Sequence, residues 1–502
     1  MTVKLTTFPG GLKLDGHKKR STQTAIQKIP LSKKLVLPLQ QHIGAASVPL
    51  VNVGDKVLKG QKIARAEGHV SAYLHAPSSG TVIAIDDQAI PHPSKLSAPC
   101  ISIETDGEDQ WIDRKPIADF TSLSEHELRK IIRDAGIVGL GGAGFPSYIK
   151  LNPGVHHHIE MLIINGVECE PYISCDDMLM CERAQGILDG IAIMQYALRV
   201  KHCVIAIEDN KPEAISAMEL ALATRPDMTT TSIIAIPTRY PAGSEKQLIQ
   251  VVTGKEVPSS GLPIDLGIVC HNVGTAYAIA RTINHGEPLI SRIITVTGKF
   301  VAKPGNFDVL LGTPIYELLE FCGARHQADE PFILGGPMMG YNLSNSSLPV
   351  TKTANCILVG VDDAAPASKP LPCIRCGECA TVCPANLLPQ QLYWYSRAKD
   401  IDKTREYNLF DCIECGCCSY VCPSKIPLVH YFRFAKTETM NQQMEAQKSE
   451  QARIRHENRL ARQEFEKKQK EERQRQRKLA LAATKAAKEK AAAESPSDKQ
   501  EL

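Results

Sequence analysis

Between residues 30 and 115, short β-branched runs alternate with Gly, Pro and Asp turns, as in Pro49–Ile63 and Leu74–Asp86. Brief runs broken this often predict a small all-β domain. From about 120 to 290 the period changes. Helical patterns such as Leu123–Ala135 alternate with continuous apolar runs at Met161–Ile164, His202–Ile207 and Ser232–Ile236. That alternation predicts a parallel α/β sheet, whose ligands gather at the carboxyl ends of the strands. Ser291–Gly298 followed by Val309–Cys322 predicts a small grasp-like domain with one helix, and the Pro-rich Ala364–Pro372 reads as a linker. Leu388, Leu392 and Tyr395 recur at helical intervals within Leu387–Tyr407. Residues 437–494 hold helix formers without Gly or Pro, but Ile454, Leu460, Phe465, Leu479 and Leu481 are too sparse for a heptad seam, so a solvated, partly disordered helix is expected. The expected division is 1–115, 116–290, 291–363, 364–436 and a tail at 437–502, a multidomain α/β and α+β chain.

Composition narrows the class. The chain has 502 residues, 43% hydrophobic and 23% charged, with a net charge of only +3. Seventeen Lys/Arg against twelve Asp/Glu in 436–502 give the tail +5 and leave the rest at −2, too weak a field to suggest nucleic acid. With no long apolar span and no apolar leader, a cytoplasmic location is expected. Seventeen cysteines in a cytoplasmic chain read as metal ligands or core residues rather than disulfides.

Eight of them fall in two copies of one pattern, Cys373-x2-Cys376-x2-Cys379-x3-Cys383-Pro384 and Cys412-x2-Cys415-x2-Cys418-x3-Cys422-Pro423. Three thiolates at successive intervals of three wrap three corners of an iron–sulfur cubane, while the fourth, before proline, reaches the neighbouring cluster. The expected sets are Cys373, Cys376, Cys379 and Cys422 for one [4Fe–4S] cluster, and Cys412, Cys415, Cys418 and Cys383 for the other. Zinc, the competing reading, does not explain the paired repeat. Cys417 is expected to be a bystander, and Cys169, Cys175 and Cys181 to be small buried residues. His156–His158 suggests metal, but a short histidine run in a polar loop is more often solvated.

Ahead of these stands Gly139-Leu-Gly141-Gly142-Ala-Gly144-Phe145-Pro146, closing with Lys150. Clustered glycines let backbone N–H groups approach a phosphate, and a following lysine can neutralise it. The loop resembles the flavin-binding loop of the NADH-oxidising flavoprotein subunit of respiratory complex I, G-R-G-G-A-G-F-P-T-G-L-K. In the same order, Asn165-Gly-Val-Glu168-Cys-Glu170-Pro171 resembles N-A-D-E-G-E-P, Tyr240-Pro-Ala-Gly243-Ser-Glu245 resembles Y-x-x-G-E-E, and His271-Asn272-Val-Gly-Thr275 resembles N-N-V-E-T. The all-β segment resembles lipoyl or biotinyl carrier domains. Ala66–Tyr73 lacks the lysine such domains present at a hairpin tip, so a structural barrel is expected.

Taken together, a carrier-like β-barrel, a complex I-like flavin/nucleotide α/β domain, a β-grasp (SLBB-like) domain and a helical two-cluster ferredoxin domain resemble the C subunits of the Rnf (Rsx) ion-translocating electron transport complexes. Phe8–Lys13 and Asn165–Asp177 fit that family especially well. The resemblance implies a peripheral subunit on the cytoplasmic face of the bacterial inner membrane, working with the other subunits, including a ferredoxin-like iron–sulfur subunit. It implies that Gly139, Gly141, Gly142 and Gly144 hug FMN, that Lys150 meets its phosphate, and that Asn165, Asn272 and Thr275 hydrogen-bond it. It further implies that Phe145 stacks on the adenine of NADH, that Glu170 and Glu245 hold its riboses with Glu168 alongside, and that Tyr240 lies by the nicotinamide. Leu140, Val167, Ser244 and Gly274 depart from the complex I pattern by losing charged residues, making the donor pocket less acidic. Two alternatives stay open: a soluble diaphorase or hydrogenase subunit, and a non-enzymatic electron-relay scaffold.

Overall fold

A computed structural model describes residues 5–154, 157–325, 332–343, 345–361 and 369–493. The chain forms two compact units divided after Phe432.

In the larger unit, the segment from Lys34 to Thr105 builds two small facing sheets. One is four-stranded and antiparallel, in the order Lys34–Pro38, Ser97–Thr105, Gly80–Ala89, Lys56–Val57; the other joins Val48–Pro49, Lys62–Arg65 and Leu74–His75. Leu37, Ile63, Val82, Ile101 and Ile103 point between them and are fully buried. Their core runs on into a six-stranded mixed sheet, where Ile294, Val296 and Val309 are equally buried. That sheet holds Gly305–Leu310, Ser291–Thr297, Cys356–Val359 and Phe332–Leu334 as central strands and carries the helix Ile315–Phe321.

The middle of the chain is a four-stranded parallel sheet: β1 (Met161–Gly166), β2 (His202–Glu208), β3 (Thr231–Ile236) and β4 (Ile268–Asn272), in the order β3-β2-β1-β4. Five helices accompany it: α1 (Glu125–Asp134), α2 (Cys175–Leu198), α3 (Pro212–Ala223), α4 (Glu245–Thr253) and α5 (Val273–His285). Alternation sorts the faces. Leu162 and Ile164 of β1 pack with α1, α2 and α5, while Ile163 packs with Leu248 and Val252 of α4. Strand order reverses between β1 and β4, so a crevice opens there at the carboxyl edge.

The segment before Lys34 stays out of the barrel sheets. Phe8 packs with α4, Leu12 bridges Tyr240, Gly11 N–H donates to Val382 O (2.9 Å), and Gln27–Lys28 joins the six-stranded sheet. Residues 369–432 form a cysteine-rich domain without a strand among the described residues. The helices Pro389–Ala398 and Ile401–Glu406 link its two cysteine runs. In the smaller unit, the helix Leu428–Ala493 continues with nearly every side chain past Met440 exposed, carrying i,i+4 pairs such as Arg453–Glu457 and Arg462–Glu466. No helix among the described residues is long and apolar enough to cross a membrane.

Candidate functional site

The glycine loop stands over the crevice between β1 and β4. Gly139 N–H donates to Phe145 O (2.8 Å), closing the loop at its base, and Gly141 and Gly142 at its tip are exposed. Gly142 has φ 117° and open space around it, and a Cβ on Gly141 would sit 3.3 Å from the Asn272 side chain. The tip therefore offers bare backbone where a side chain would obstruct a ligand. Leu140 N–H donates to the buried Thr275 hydroxyl (3.0 Å). Asn165 and Asn272 are register partners at the ends of β1 and β4. The Asn272 carbonyl oxygen caps α5 by accepting from Gly274 N–H (2.9 Å), and its amide donates to Asp176 (2.6 Å). The Asn165 amide donates to Gly243 O (2.9 Å).

Lys150 ends the helical turn Ser147–Lys150 and donates to Glu245 (2.5 Å) and to Cys270 O of β4 (3.1 Å). Lysine and glutamate, expected on different ligands, thus hold each other, both about one-third exposed. Phe145 is half-buried and Gly144 is tucked against Thr353 and the backbone of the barrel segment at Gln41 and His42. Beneath the loop, His271 is buried, with Nε2 lacking a protein partner and its pKa lowered to about 3 by burial and then by the Lys150 charge.

Three expected ligand residues are turned elsewhere. Glu168 is 7% exposed and accepts from the Asp176 N–H (2.9 Å) and the Cys175 thiol (3.3 Å), so it caps the start of α2 rather than facing a cofactor. Burial and then the Glu168 charge push Asp176 up to about 7. Glu170 accepts from the backbone N–H groups of Met338 (2.7 Å) and Met339 (3.0 Å), and burial raises its pKa. Tyr240 is 2% exposed and its hydroxyl donates to Cys415 O (2.6 Å). Its neighbours are Cys415, Cys417, Cys169, Met338 and Leu12, so the residue expected at the nicotinamide lies at the joint with the cysteine-rich domain.

Sequence reasoning missed a set of buried and half-buried ions. Glu208, closing β2, pairs with Lys211, both side chains fully buried; Lys18 donates to Glu168 O (2.7 Å) and Glu170 O (3.0 Å). Arg292 reaches Leu140 O (3.3 Å) and Lys352 O. Lys352, wholly buried, donates to Tyr73 O and Gly136 O (2.8 Å each) and is lowered to about 7 by burial. The available signal was a charge inside or at the end of an apolar run, as with Arg292 in Ser291–Thr297.

The cysteines gather across the two runs. One hollow is lined by Cys412, Cys415, Cys418 and Cys383, with Cys417 as a fifth thiol on its wall, the other by Cys373, Cys376, Cys379 and Cys422. The runs repeat each other's backbone: Arg375 and Glu414 (φ 57° each), Gly377 and Gly416 (φ 86° and 82°), and Asn386 and Lys425 (φ 51° and 52°) share left-handed conformations. Arg375 N–H and Glu414 N–H each donate to a first-cysteine sulfur, Cys373 and Cys412 (3.4 Å). Among the described residues the only three potential ligands within 4.8 Å of one another are Glu168, Cys175 and Asp176. No three of the eight thiols crowd to the ~3.8 Å that four sulfurs around one zinc require, and an all-thiol donor set repeated in two hollows is the chemistry of iron–sulfur cubanes. Cys417 is buried beside Tyr240; Cys175 is buried, and Cys169 and Cys181 are partly so. His157 and His158 are exposed, and His156 lies outside the described residues.

Comparison with known proteins matches four segments in series: "RnfC Barrel sandwich hybrid domain" at 6–108, "Nuo51 FMN-binding domain" at 132–281, "SLBB domain" at 293–342 and "4Fe-4S dicluster domain" at 372–426. A solved NAD+-reducing [NiFe]-hydrogenase in the H2-reduced state aligns at 18% identity with a TM-score of 0.45, covering 61% of this chain and 62% of that one. The C subunit of the ion-translocating oxidoreductase complex of Pseudomonas aeruginosa is 51% identical over 91% of this chain and 59% of its own length. That of Haemophilus influenzae strain 86-028NP is 47% identical over 92% and 69%. The chain thus spans about three-fifths of the Pseudomonas relative and 65% of the Serratia proteamaculans one. By identity near one-half over nine-tenths of its length, and by four matching segments in one order, the chain belongs to the family of C subunits of ion-translocating oxidoreductase complexes.

Proposed function

We propose that this chain takes hydride from NADH at the glycine loop and conducts single electrons through two [4Fe–4S] clusters to membrane-bound partners, a ferredoxin-like iron–sulfur subunit among them. It would do so as a peripheral subunit on the cytoplasmic face of the bacterial inner membrane. The carrying observation is that one α/β domain both carries the open loop over the β1/β4 crevice and packs Tyr240 against the thiol set at Cys412/Cys415/Cys418/Cys383, while the set at Cys373/Cys376/Cys379/Cys422 includes the exposed Cys376.

Bound FMN supplies the conversion between a hydride's paired electrons and the single electrons that clusters accept. The chain's own part is to bind and orient. The loop Gly139–Gly144 presents backbone to the flavin and the start of α5 with Lys150 meets the phosphate. Asn165, Asn272 and Thr275, bonded to Gly243 O, Asp176 and Leu140 N–H, fix the crevice and would turn to the flavin only by exchanging those partners. Phe145 and Glu245 are the residues left to receive NADH, because Glu168, Glu170 and Tyr240 are buried against the protein, whereas Phe145 is half-buried and Glu245, though paired with Lys150, is about one-third exposed. The test is anaerobic purification with flavin, iron and sulfide quantified before and after NADH. We expect about one FMN and about eight iron per chain, with the flavin bleached by NADH. Flavin that NADH leaves oxidised would remove the donor assignment, and iron near one per chain would remove the clusters.

A further inference from the structure

Tyr240 lies on the segment between β3 and α4, pinned by its own backbone: Leu12 N–H donates to Tyr240 O (2.8 Å) and Tyr240 N–H donates back to Leu12 O (2.9 Å). The N-terminal strap that pairs with it is held to the cysteine-rich domain in turn, since Gly11 N–H donates to Val382 O (2.9 Å), next to Cys383. A Cβ on Gly10 would fall 2.6 Å from the Val382 and Cys383 backbone, so the strap passes the cysteine domain with no room to slide. The ring is thus delivered at fixed height into a nest of Cys415, Cys417, Met338 and Ile413, and its one O–H donates to Cys415 O, 2.6 Å away, with the buried Glu170 carboxylate as the hydroxyl's other polar neighbour. Among the described residues this thiol set receives such a donor from the α/β domain and the other does not.

We propose that Tyr240 is a positioning residue that seats the Cys412/Cys415/Cys418/Cys383 cluster against the flavin-binding domain and, through its hydrogen bond to the Cys415 carbonyl, raises that cluster's reduction potential above what the bare hollow would give. The inference rests on the reading that these thiols hold a [4Fe–4S] cluster. Reduction adds one electron to a buried, already anionic centre. A donor dipole aimed at the backbone of a ligand residue stabilises the added charge, and in a water-poor nest it is not replaced by solvent. The same fixed contact makes this cluster the first station after the flavin. The other set, with Cys376 exposed, is the second.

The test is an EPR-monitored redox titration of the full-length, cluster-loaded protein, wild type beside Tyr240→Phe, which keeps the ring and removes the donor. We expect unchanged iron content, one cluster signal appearing at a more negative potential, and the other where it was. Assignment comes from Cys376→Ser, which perturbs only the outer set. A second arm places 3-fluorotyrosine at position 240, which keeps ring and hydroxyl but strengthens the donor, and should move the same signal the opposite way. If Tyr240→Phe loses iron, the fluorotyrosine arm decides. Unmoved potentials in that arm, or equal shifts of both clusters, overturn the proposal. Absence of cubane signals in the wild type would instead overturn the cluster reading on which it rests.

Discussion

The hollows of the cysteine-rich domain are lined by thiols, backbone, apolar side chains and a few neutral polar ones such as Gln390 and Ser424, with Arg375 and Glu414 as their charged members among the described residues. The region around the glycine loop is built the other way. It buries Glu208, Lys211, Arg292 and Lys352 almost completely and keeps Asp176 and Glu168 nearby. A cluster brings its own covalent attachment, so its protein shell needs mainly to exclude water and place four sulfurs. A flavin held without covalent bonds needs fixed amides and fixed charges, and each buried ion must keep a partner because removing one leaves the other stranded. The first region should therefore fail one cluster at a time, and the second as a block.

The largest effect that separates the regions comes from Cys383→Ser. Cys383 belongs by sequence to the first run but lines the hollow of the second. Iron should fall from about eight to about four per chain, with the surviving EPR signal belonging to the Cys373/Cys376/Cys379/Cys422 set and flavin retained. Loss of the Cys373-set signal instead would mean that each run binds its own cluster.

Next in size is the loop region. Lys150→Glu sets a carboxylate beside Glu245 where the phosphate is expected, and should weaken FMN retention by roughly 10- to 100-fold while leaving iron unchanged. Full flavin occupancy on gel filtration would move the phosphate elsewhere, with the start of α5 the next place to examine.

These two regions also differ in how far they were legible from sequence. Cysteine spacing put Cys383 with Cys412 and Cys422 with Cys373, because within each run of eleven residues three thiols at intervals of three leave the fourth, before proline, pointing to the other run, and the same left-handed turns recur in each. The parallel sheet was legible from apolar runs, and the place of Asn165 and Asn272 follows from strand order. Glu168, Glu170 and Tyr240 were not legible. Glu168 turns back to the N-terminus of α2 eight residues on, while Glu170 meets the Met338–Met339 backbone and Tyr240 meets Cys415, contacts 168 and 175 positions away that no local pattern announces. The strap through Leu12 was hidden for the same reason: its residues read as a prelude to the barrel, yet they are spent on three other layers.

A smaller effect sharpens the contrast inside the cysteine-rich domain. Cys376 is exposed and Cys373, Cys379 and Cys422 are partly so, whereas Cys415 and Cys418 are buried. An iron chelator in mild anaerobic conditions should therefore strip the Cys373/Cys376/Cys379/Cys422 cluster several-fold faster than the other, followed as sequential loss of two EPR signals. Simultaneous loss would mean that the domain opens as one body before either cluster is reached.

The smallest effect tests whether the buried ions behind the loop behave as charges at all. Lys352 donates to Tyr73 O and Gly136 O, and its pKa is lowered to about 7 with burial as the cause. A lysine depressed in the folded state and ordinary in the unfolded one means that the unfolded chain binds more protons between pH 7 and about 10.4. Stability must then rise with pH across that window and be lost as pH falls through it. Between pH 7 and 8.5 the gain is about 1.5 kcal/mol from this group alone. His42, lowered to about 4 by burial and then by the Lys352 charge, loses its contribution only below about pH 6.5, so it does not enter this range. Raised thiols such as Cys203 act oppositely at higher pH, but they are shared by wild type and variant and cancel in the difference. Urea unfolding of the anaerobic protein at pH 7.0 and 8.5 should therefore show wild type gaining on Lys352→Met by about that amount, even though the variant is weaker at both pH values for want of two hydrogen bonds. Parallel pH dependences would mean that Lys352 stays charged on its two carbonyls, and that the wall behind the loop carries a permanent cation toward the flavin side.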